Sequence, residues 1–502
     1  MKRPVLCLVL STSLSWAVDD LDRLKSDYMI GELSLDDLMI QQVARLVKTP
    51  YPEMKYLSPE PIKCGTHVLR FLGENHSLLS PSAVTTLTSM GVDFDRSVPG
   101  LFRPSGLDRH FDMGIFRFHF TMEGENGVDP ADADADGIPD YVHTMASTFD
   151  EVAELELDLY GYTRPPSDNW YDDNGGNSLY DIYLKRLGEN VYGYTQWEFP
   201  ASNQSGDNEY STVKEKNAST SYLVVRNNYD GFPYLELESI RVTAAHEFFH
   251  AIQLGYDGWE STWMLEATAT WMEDEVYDDI NDSFQYLEEW FGNPELALNY
   301  DSATHWYGSW IFFRYLSEHM GGHATIRKIF EKSIDNDSQR GDHSISTIDA
   351  VLRDLGESFN KAFTSMVIAN EVLSSDPGVG EYSYEEADDY RLFGIRPEYR
   401  DSILLTESEH QFSHNSGILM HNASHYIKVT ASEGPLEVKF SPGKDEPRYQ
   451  VMGIVKRGLG SILVYDIGMS FIVDVPPNVE DLVIAVVTDT SDNLGYYYSL
   501  NL

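Results

Sequence analysis

Cysteine is scarce in this chain: Cys7 and Cys64 are the only two among 502 residues. Basic residues are scarce too, 36 Lys plus Arg against 81 Asp plus Glu, for a formal charge of −45. So acidic a surface repels nucleic acid and anionic membrane, which argues against a nucleic-acid-binding role. After the first twenty positions no apolar run reaches the roughly 18 residues that a membrane-spanning helix needs, so no transmembrane anchor is expected in the mature chain. Aromatics, by contrast, are plentiful. With 31 Tyr, 23 Phe and 9 Trp the chain has material for sizeable cores, and its length asks for two or three domains.

The first residues read as an address. Met1-Lys2-Arg3 is a basic head, Val5 to Trp16 is mostly apolar, and Ser15 and Ala17 place small residues before a cut at Val18. Residues 1–17 are therefore expected to be a signal peptide, and the protein to be secreted, extracellular, periplasmic or on the cell surface. Cys7 leaves with the leader. Cys64 then has no disulfide partner within the chain, so packing or metal must do the stapling.

Hydrophobic spacing divides the rest. Residues 18–50 read as helical. Residues 51–110 look irregular after Pro50, Pro52, Pro59 and Pro61, with a short strand at His67–Phe71. Strands are expected at Phe116–Phe120, Leu179–Leu184 and Ser221–Arg226, and an amphipathic helix at Tyr141–Tyr160. Helices follow at Glu238–Leu254, Trp263–Val276, Trp306–His319, Ile326–Ile334 and Ile348–Ala369. Beyond residue 400 short alternating runs separated by Gly, Pro, Asn and Asp read as a β-sandwich of roughly 100 residues. The expected layout is a propeptide-like N-terminal region at 18–110, a mixed α+β domain at 111–390 and the sandwich at 400–502.

The strongest chemical signal is His246-Glu247-Phe248-Phe249-His250 within a helical stretch. Positions i and i+4 share a helix face, so both imidazoles can reach one Zn²⁺ at about 2.0–2.1 Å. Glu247 can face a metal-bound water without ligating. Sixteen residues on, Glu266 interrupts an apolar turn, and a buried carboxylate of that kind is paired, protonated or metal-bound. His246, His250 and Glu266 would give three ligands and an open position for water. Glu273, on roughly the same face as Glu266, is the alternative ligand or an acceptor for a ligating histidine.

HEFFH followed by LEATATWMED resembles the zinc metallopeptidases whose third ligand is a glutamate, the gluzincins, in which thermolysin-like and aminopeptidase-N-like enzymes fall. Together with Phe116–Phe120 and the acidic loop ending in PDYV, it also resembles a group of secreted bacterial metalloproteases, over roughly residues 110–370. The resemblance implies a zincin-like α+β domain, hydrolysis of a protein or peptide substrate, Glu247 as general base, and Tyr307 or His305 as donor to the developing oxyanion. The strand at Ser221–Asn228 would be the edge along which a substrate pairs. The His-to-Glu spacing is shorter than in those enzymes. No GAMEN sequence is present, which favours an endopeptidase over an exopeptidase.

Asp132, Asp134 and Asp136 with Gly137 match the start of a calcium loop, and Asp140 could add a ligand. Asp172-Asp173-Asn174-Gly175-Gly176 is a weaker version. The stretch around Cys64, PIKCGT, resembles the cysteine switch of matrixins, in which a propeptide thiolate fills the zinc's open position. Cys64 would then be an inhibitory zinc ligand, with propeptide cleavage between about 75 and 112. Two other readings compete: a calcium-stabilised surface or adhesion protein with a structural metal site, and a zinc hydrolase of a non-peptide substrate. The sandwich would bind a surface or polymer ligand.

Overall fold

A computed structural model describes residues 20–56, 62–96, 98–188, 190–201, 215–334, 343–405, 413–431, 434–443, 448–457, 461–475, 482–488 and 496–502. The expected signal peptide lies outside the described residues. Helices and several sheets are mixed in an α+β arrangement.

The N-terminal region comprises α1 (Asp20–Met29), α2 (Leu35–Val47), β1 (Ile62–Cys64), α3 (Thr66–Asn75), α4 (Pro81–Ser89), β2 (Val92–Asp93) and β3 (Gly100–Leu101). Ser34 caps α2 by accepting from the Asp37 N–H, and Ser80 caps α4 ahead of Pro81 at its first position. The strand expected at His67–Phe71 is instead part of α3. Its apolar residues Val68, Leu69 and Leu72 follow a helical rather than an alternating period.

The central sheet is built from β1, β4 (Arg109–Met113), β5 (Phe116–Phe120), β6 (Tyr180–Lys185), β7 (Val191–Pro200) and β8 (Ser219–Arg226), in the order β1-β7-β8-β6-β5-β4. β5, β6 and β8 run parallel, and β7 is antiparallel to β8. The segment around Ser221 is therefore interior, not the edge the sequence suggested. The edge strand on that side is β1, which pairs in parallel with β7. Nothing in β7 alternates cleanly, because both of its faces are covered.

One face of the sheet packs on α5 (Asp140–Ala153) and α6 (Glu236–Tyr256) through Phe116, Phe118, Ile182, Leu223 and Val225. The other face, with Tyr183, Tyr194, Tyr222 and Val224, packs on Leu38, Met39, Val43, Val68 and Leu72 of the N-terminal region. Covering both faces accounts for the unbroken burial of β8. The N-terminal region is thus a layer of the fold. Asp22 of α1 reaches the helical half, accepting from the N–H groups of Ala303 and Thr304 at 2.7 and 3.0 Å.

The helical half holds α7 (Thr262–Val276), α8 (Leu287–Gly292), α9 (Ala303–Gly308), α10 (Trp310–His319), α11 (His323–Ser333), α12 (Ser344–Asp354), α13 (Phe359–Val372) and α14 (Ala387–Leu392). Two helices expected to be continuous are each divided. Ser309 separates α9 from α10, and Gly356, at φ +82°, separates α12 from α13.

The C-terminal part consists of β9 (Tyr399–Leu404), β10 (Ser413–Asn415), β11 (Ser424–Thr430), β12 (Gly434–Pro442), β13 (Tyr449–Lys456), β14 (Ile462–Asp466), β15 (Ser470–Val475), β16 (Leu482–Thr488) and β17 (Tyr498–Asn501). They form a four-stranded sheet, β10-β17-β12-β15, and a five-stranded sheet, β14-β13-β16-β11-β9. Ile427, Ile484 and Val486 of one sheet share a core with Val438, Val473 and Leu500 of the other. Tyr426, Val483 and Ala485 join the core of the helical half, and the Tyr426 hydroxyl donates to the Val367 carbonyl at 2.8 Å. Among the described residues no helix is long and apolar enough to cross a membrane.

Candidate metal centre

α6 is buried along most of its length, because it lies between the sheet and α7. That position sets His246, Glu247 and His250 toward β7 and α7. Nε2 of His246 and Nε2 of His250 are 3.1 Å apart. Oε2 of Glu266, on α7, lies 3.3 Å from the first and 3.4 Å from the second. Tetrahedral coordination at about 2.0–2.1 Å separates ligand atoms by about 3.3 Å. The three atoms therefore form one face of a coordination tetrahedron. All three residues are only 1% exposed.

The far nitrogens are held. His246 Nδ1 lies 2.7 Å from Oε1 of Glu273, and His250 Nδ1 lies 2.7 Å from Oε1 of Gln253. Gln253 is fixed in turn, its amide donating to the Leu265 carbonyl and to the Thr268 hydroxyl. An acceptor on Nδ1 keeps a proton there and leaves Nε2 as a lone-pair donor. Glu273, the alternative third ligand, thus stands behind His246 while Glu266 closes the triad. Gln253 gave no sequence signal beyond its place two turns after His246 and three residues after His250.

Electrostatics match a cation among these groups. Burial would raise the Glu266 carboxyl, but His250 and His246 outweigh it and hold it below the ordinary range. Burial would lower His246, yet Glu266 and Glu273 reverse the effect and raise it to about 9. Without a metal the cluster must hold a proton in the cation's place.

Cys64 completes the group. Its sulfur and the ligand atoms of His246, His250 and Glu266 all lie within 4.8 Å of one another. β1 carries it there: the Ile62 N–H donates to Asn190 at 2.7 Å, and the Gly65 N–H donates to Gly193 at 2.9 Å. The Thr66 N–H points at the sulfur, 3.3 Å away. Burial, reinforced by Glu247 and Glu266, pushes the thiol up. A cation in the cluster would favour the thiolate there. The residues present fit a borderline-soft divalent ion such as zinc, with two imidazoles, a carboxylate and a thiol.

Glu247 adjoins this group without being one of the four. The Thr195 hydroxyl donates to its Oε2 at 2.9 Å, and the Thr66 hydroxyl lies 3.4 Å from the same oxygen. Burial raises that carboxyl against the opposing pull of His250 and His246. Gly193 of β7 makes room for it, since a Cβ there would lie 3.2 Å from Glu247 Cγ.

The two candidate oxyanion donors part company. The Tyr307 ring centroid lies 6.2 Å from that of His246. His305 instead meets the Ala297 carbonyl through Nε2 at 2.9 Å and packs against Trp290 and Tyr300. Burial lowers it to about 4. His67, which the sequence did not single out, lies with Nδ1 3.8 Å from Glu266 Oε1.

Lys63 is the other neighbour. Its ammonium, 1% exposed, lies 2.5 Å from Oε2 of Glu273, bonds to Asp282, and sits 5.1 Å from the Tyr192 ring centre. Burial works against its charge, but Asp282 and Glu273 outweigh burial and hold it well above the ordinary lysine range.

In the loop that opens α5, carboxyl oxygens of Asp132, Asp134 and Asp136 lie within 4.8 Å of one another. Asp140 is not in that group; it accepts from the Ala133 N–H at 3.2 Å. The weaker acidic stretch at 172–176 brings no such cluster together among the described residues.

Residues 236–373, from the start of α6 to just past α13, match a family of unknown function, DUF6055. No curated protein matches the chain.

Proposed function

We propose that this chain is a secreted zinc-dependent endopeptidase with a zincin-like catalytic domain, held latent by its own N-terminal region. The observation that carries the reading is the triangle of His246, His250 and Glu266 ligand atoms, 3.1–3.4 Å on a side, with the Glu247 carboxylate beside it. A zinc ion held by these three residues would acidify a bound water and polarise a carbonyl.

The chain's own groups divide the remaining work. Glu247, oriented by Thr195, takes the proton of the attacking water. A buried carboxylate with a raised affinity for protons is suited to that transfer near neutral pH. Tyr307 donates to the developing oxyanion. Glu273 and Gln253 keep the imidazoles in one tautomer and one orientation. A substrate takes the β7 edge in extended form, in the place that β1 now fills.

Cys64 is the reason for latency. Its sulfur lies within 4.8 Å of the ligand atoms, where it would take the position that the attacking water needs. Calcium at Asp132, Asp134 and Asp136 fixes the loop that opens α5, and the C-terminal sandwich serves attachment to a surface or polymer.

One observation favours a second reading. Four protein ligands including a thiolate make a closed site, and closed zinc sites are usually structural. Glu247 weighs against it, since a structural site has no use for a buried carboxylate beside its ligands. The experiment is zinc content and casein hydrolysis by the secreted protein, its N-terminally cleaved form and the Glu247→Gln variant. About one zinc per chain, with cleavage that Glu247→Gln abolishes, supports the peptidase. Zinc without hydrolysis after cleavage favours the structural site or a non-peptide substrate, and absence of zinc overturns both.

A further inference from the structure

We propose that the pocket now filled by Lys63 is a substrate subsite for lysine, so that the activated enzyme cleaves peptide bonds with a lysine close on one side. The inference rests on the endopeptidase reading and adds a substrate class to it.

β1 occupies the β7 edge as an extended strand, bonded to it through the backbone at Ile62 and Gly65. Two adjacent side chains of that strand enter the site. Cys64 reaches the metal ligands, and Lys63 reaches Glu273 and Asp282. The strand thus holds a pose that a substrate would have to adopt, with one cationic side chain beside the reacting centre.

The walls of the Lys63 pocket belong to the catalytic body. Glu273 is on α7, and Asp282 follows α7 in the 3-10 turn at Asn281–Tyr286. Oδ1 of Asp282 is fixed by the Gln285 amide at 2.9 Å, which leaves Oδ2 turned to the ammonium. Tyr192 of β7 adds a ring face. The pocket therefore does not depend on the N-terminal region for its shape.

Displacing β1 removes both side chains together. A metal held by the ligand triad would then have a position open for water, and at the same moment two buried carboxylates lose their cation. Uncompensated buried charge is strongly unfavourable. An incoming lysine restores the pairing, whereas a norleucine of the same length leaves it broken. Lysine suits the pocket better than arginine, because two carboxylates converge on one point rather than on a planar fork.

The test uses the whole chain, folded first and then nicked at a protease site inserted between Ser105 and Gly106 in an exposed stretch. Peptide pairs differing only by lysine or norleucine near the cleaved bond are compared by kcat/KM. A lysine preference of about 30-fold or more is expected, falling to a few-fold in Asp282→Asn and retained in Asp282→Glu. Cleavage of both peptides with equal efficiency overturns the subsite while leaving the peptidase intact. A preference untouched by Asp282→Asn does the same. The wild-type comparison alone decides if the Asn variant fails to fold.

Calorimetric binding of the same peptides to nicked Glu247→Gln protein separates the two ideas. Lysine-dependent binding without cleavage by the active form supports the pocket and sinks the peptidase. Neither cleavage nor lysine-dependent binding sinks both.

Discussion

Lys63 and His246 meet on one carboxylate: Glu273 takes the imidazole Nδ1 at 2.7 Å through one oxygen and faces the ammonium at 2.5 Å through the other. The N-terminal strand therefore touches the metal site twice, directly through Cys64 and indirectly through the residue that orients a ligand. Without Lys63, Glu273 and Asp282 would be two buried acids with a cation missing. Loss of outer-shell partners typically weakens metal affinity 10- to 100-fold. Lys63→Met is expected to lower zinc affinity by about that much, read by competition with a chelator. Wild-type affinity in the variant would show that Glu273 holds its place unaided.

Glu247→Gln keeps the size and the Thr195 hydrogen bond but cannot accept a proton. Zinc content is expected to stay at the wild-type level. Turnover by the activated protein should fall by about 100- to 10,000-fold, the usual contribution of a general base. A variant that loses zinc would instead make Glu247 part of the site's scaffold.

For Cys64 the clean readout is spectroscopic. Burial with Glu247 and Glu266 nearby holds the thiol protonated in the metal-free chain. Ligation must then expel that proton. Metal uptake at pH 7 should release about one proton fewer in Cys64→Ala than in wild type. The cobalt-substituted full chain should show a thiolate-to-cobalt charge-transfer band that Cys64→Ala lacks. An unchanged spectrum would mean that the sulfur does not ligate.

His305 makes a pH prediction whose sign is fixed by burial. Its folded value is lowered to about 4 from an ordinary 6.5. The neutral form is thus favoured in the folded state, and the contribution is intact above pH 6.5. It is lost as pH falls from there toward 4, at about 1.4 kcal/mol per unit, or about 3 kcal/mol in all. His305→Gln should flatten urea stability between pH 7 and pH 4.5 without reducing hydrolysis. Tyr307→Phe should do the reverse, leaving stability near wild type and lowering kcat about 100-fold. Loss of activity in His305→Gln alone would return the oxyanion role to His305.

The site was legible where one local rule governs it. His246 and His250 share a face because a helix has a fixed period, and Glu266 was conspicuous because a carboxylate in an apolar turn needs a partner. Phe116–Phe120 alternates, since only one of its faces is deeply buried. What was not legible depends on contacts between distant segments. β7 reads as an irregular aromatic stretch because Tyr192 and Tyr194 enter cores on opposite faces. Residues 66–75 were hidden among prolines, and their helix gains its apolar partners from distant segments, among them α2, β3 and the far face of the sheet. Lys63 carried no signal, because its partners are more than 200 residues away.

The loop before α5 offers the last test. Asp132 Oδ2 already accepts from the Gly137 N–H at 2.9 Å, and Asp136 faces His143 at 2.7 Å. The loop is therefore folded around its acids by hydrogen bonds, with Ala135 and Gly137 at positive φ. Three carboxylates this close repel one another, and a calcium ion would relieve that repulsion with oxygen ligands alone. The binding should be weak, with Kd on the order of 10⁻⁴–10⁻³ M, as in extracellular modules. Millimolar calcium is expected to raise Tm in wild type but not in Asp134→Asn. The loop anchors the start of α5, which packs on α6, so α6 should gain protection from hydrogen exchange at the same calcium concentrations. Equal calcium response in both proteins would place the ion elsewhere and leave the loop held by its internal bonds.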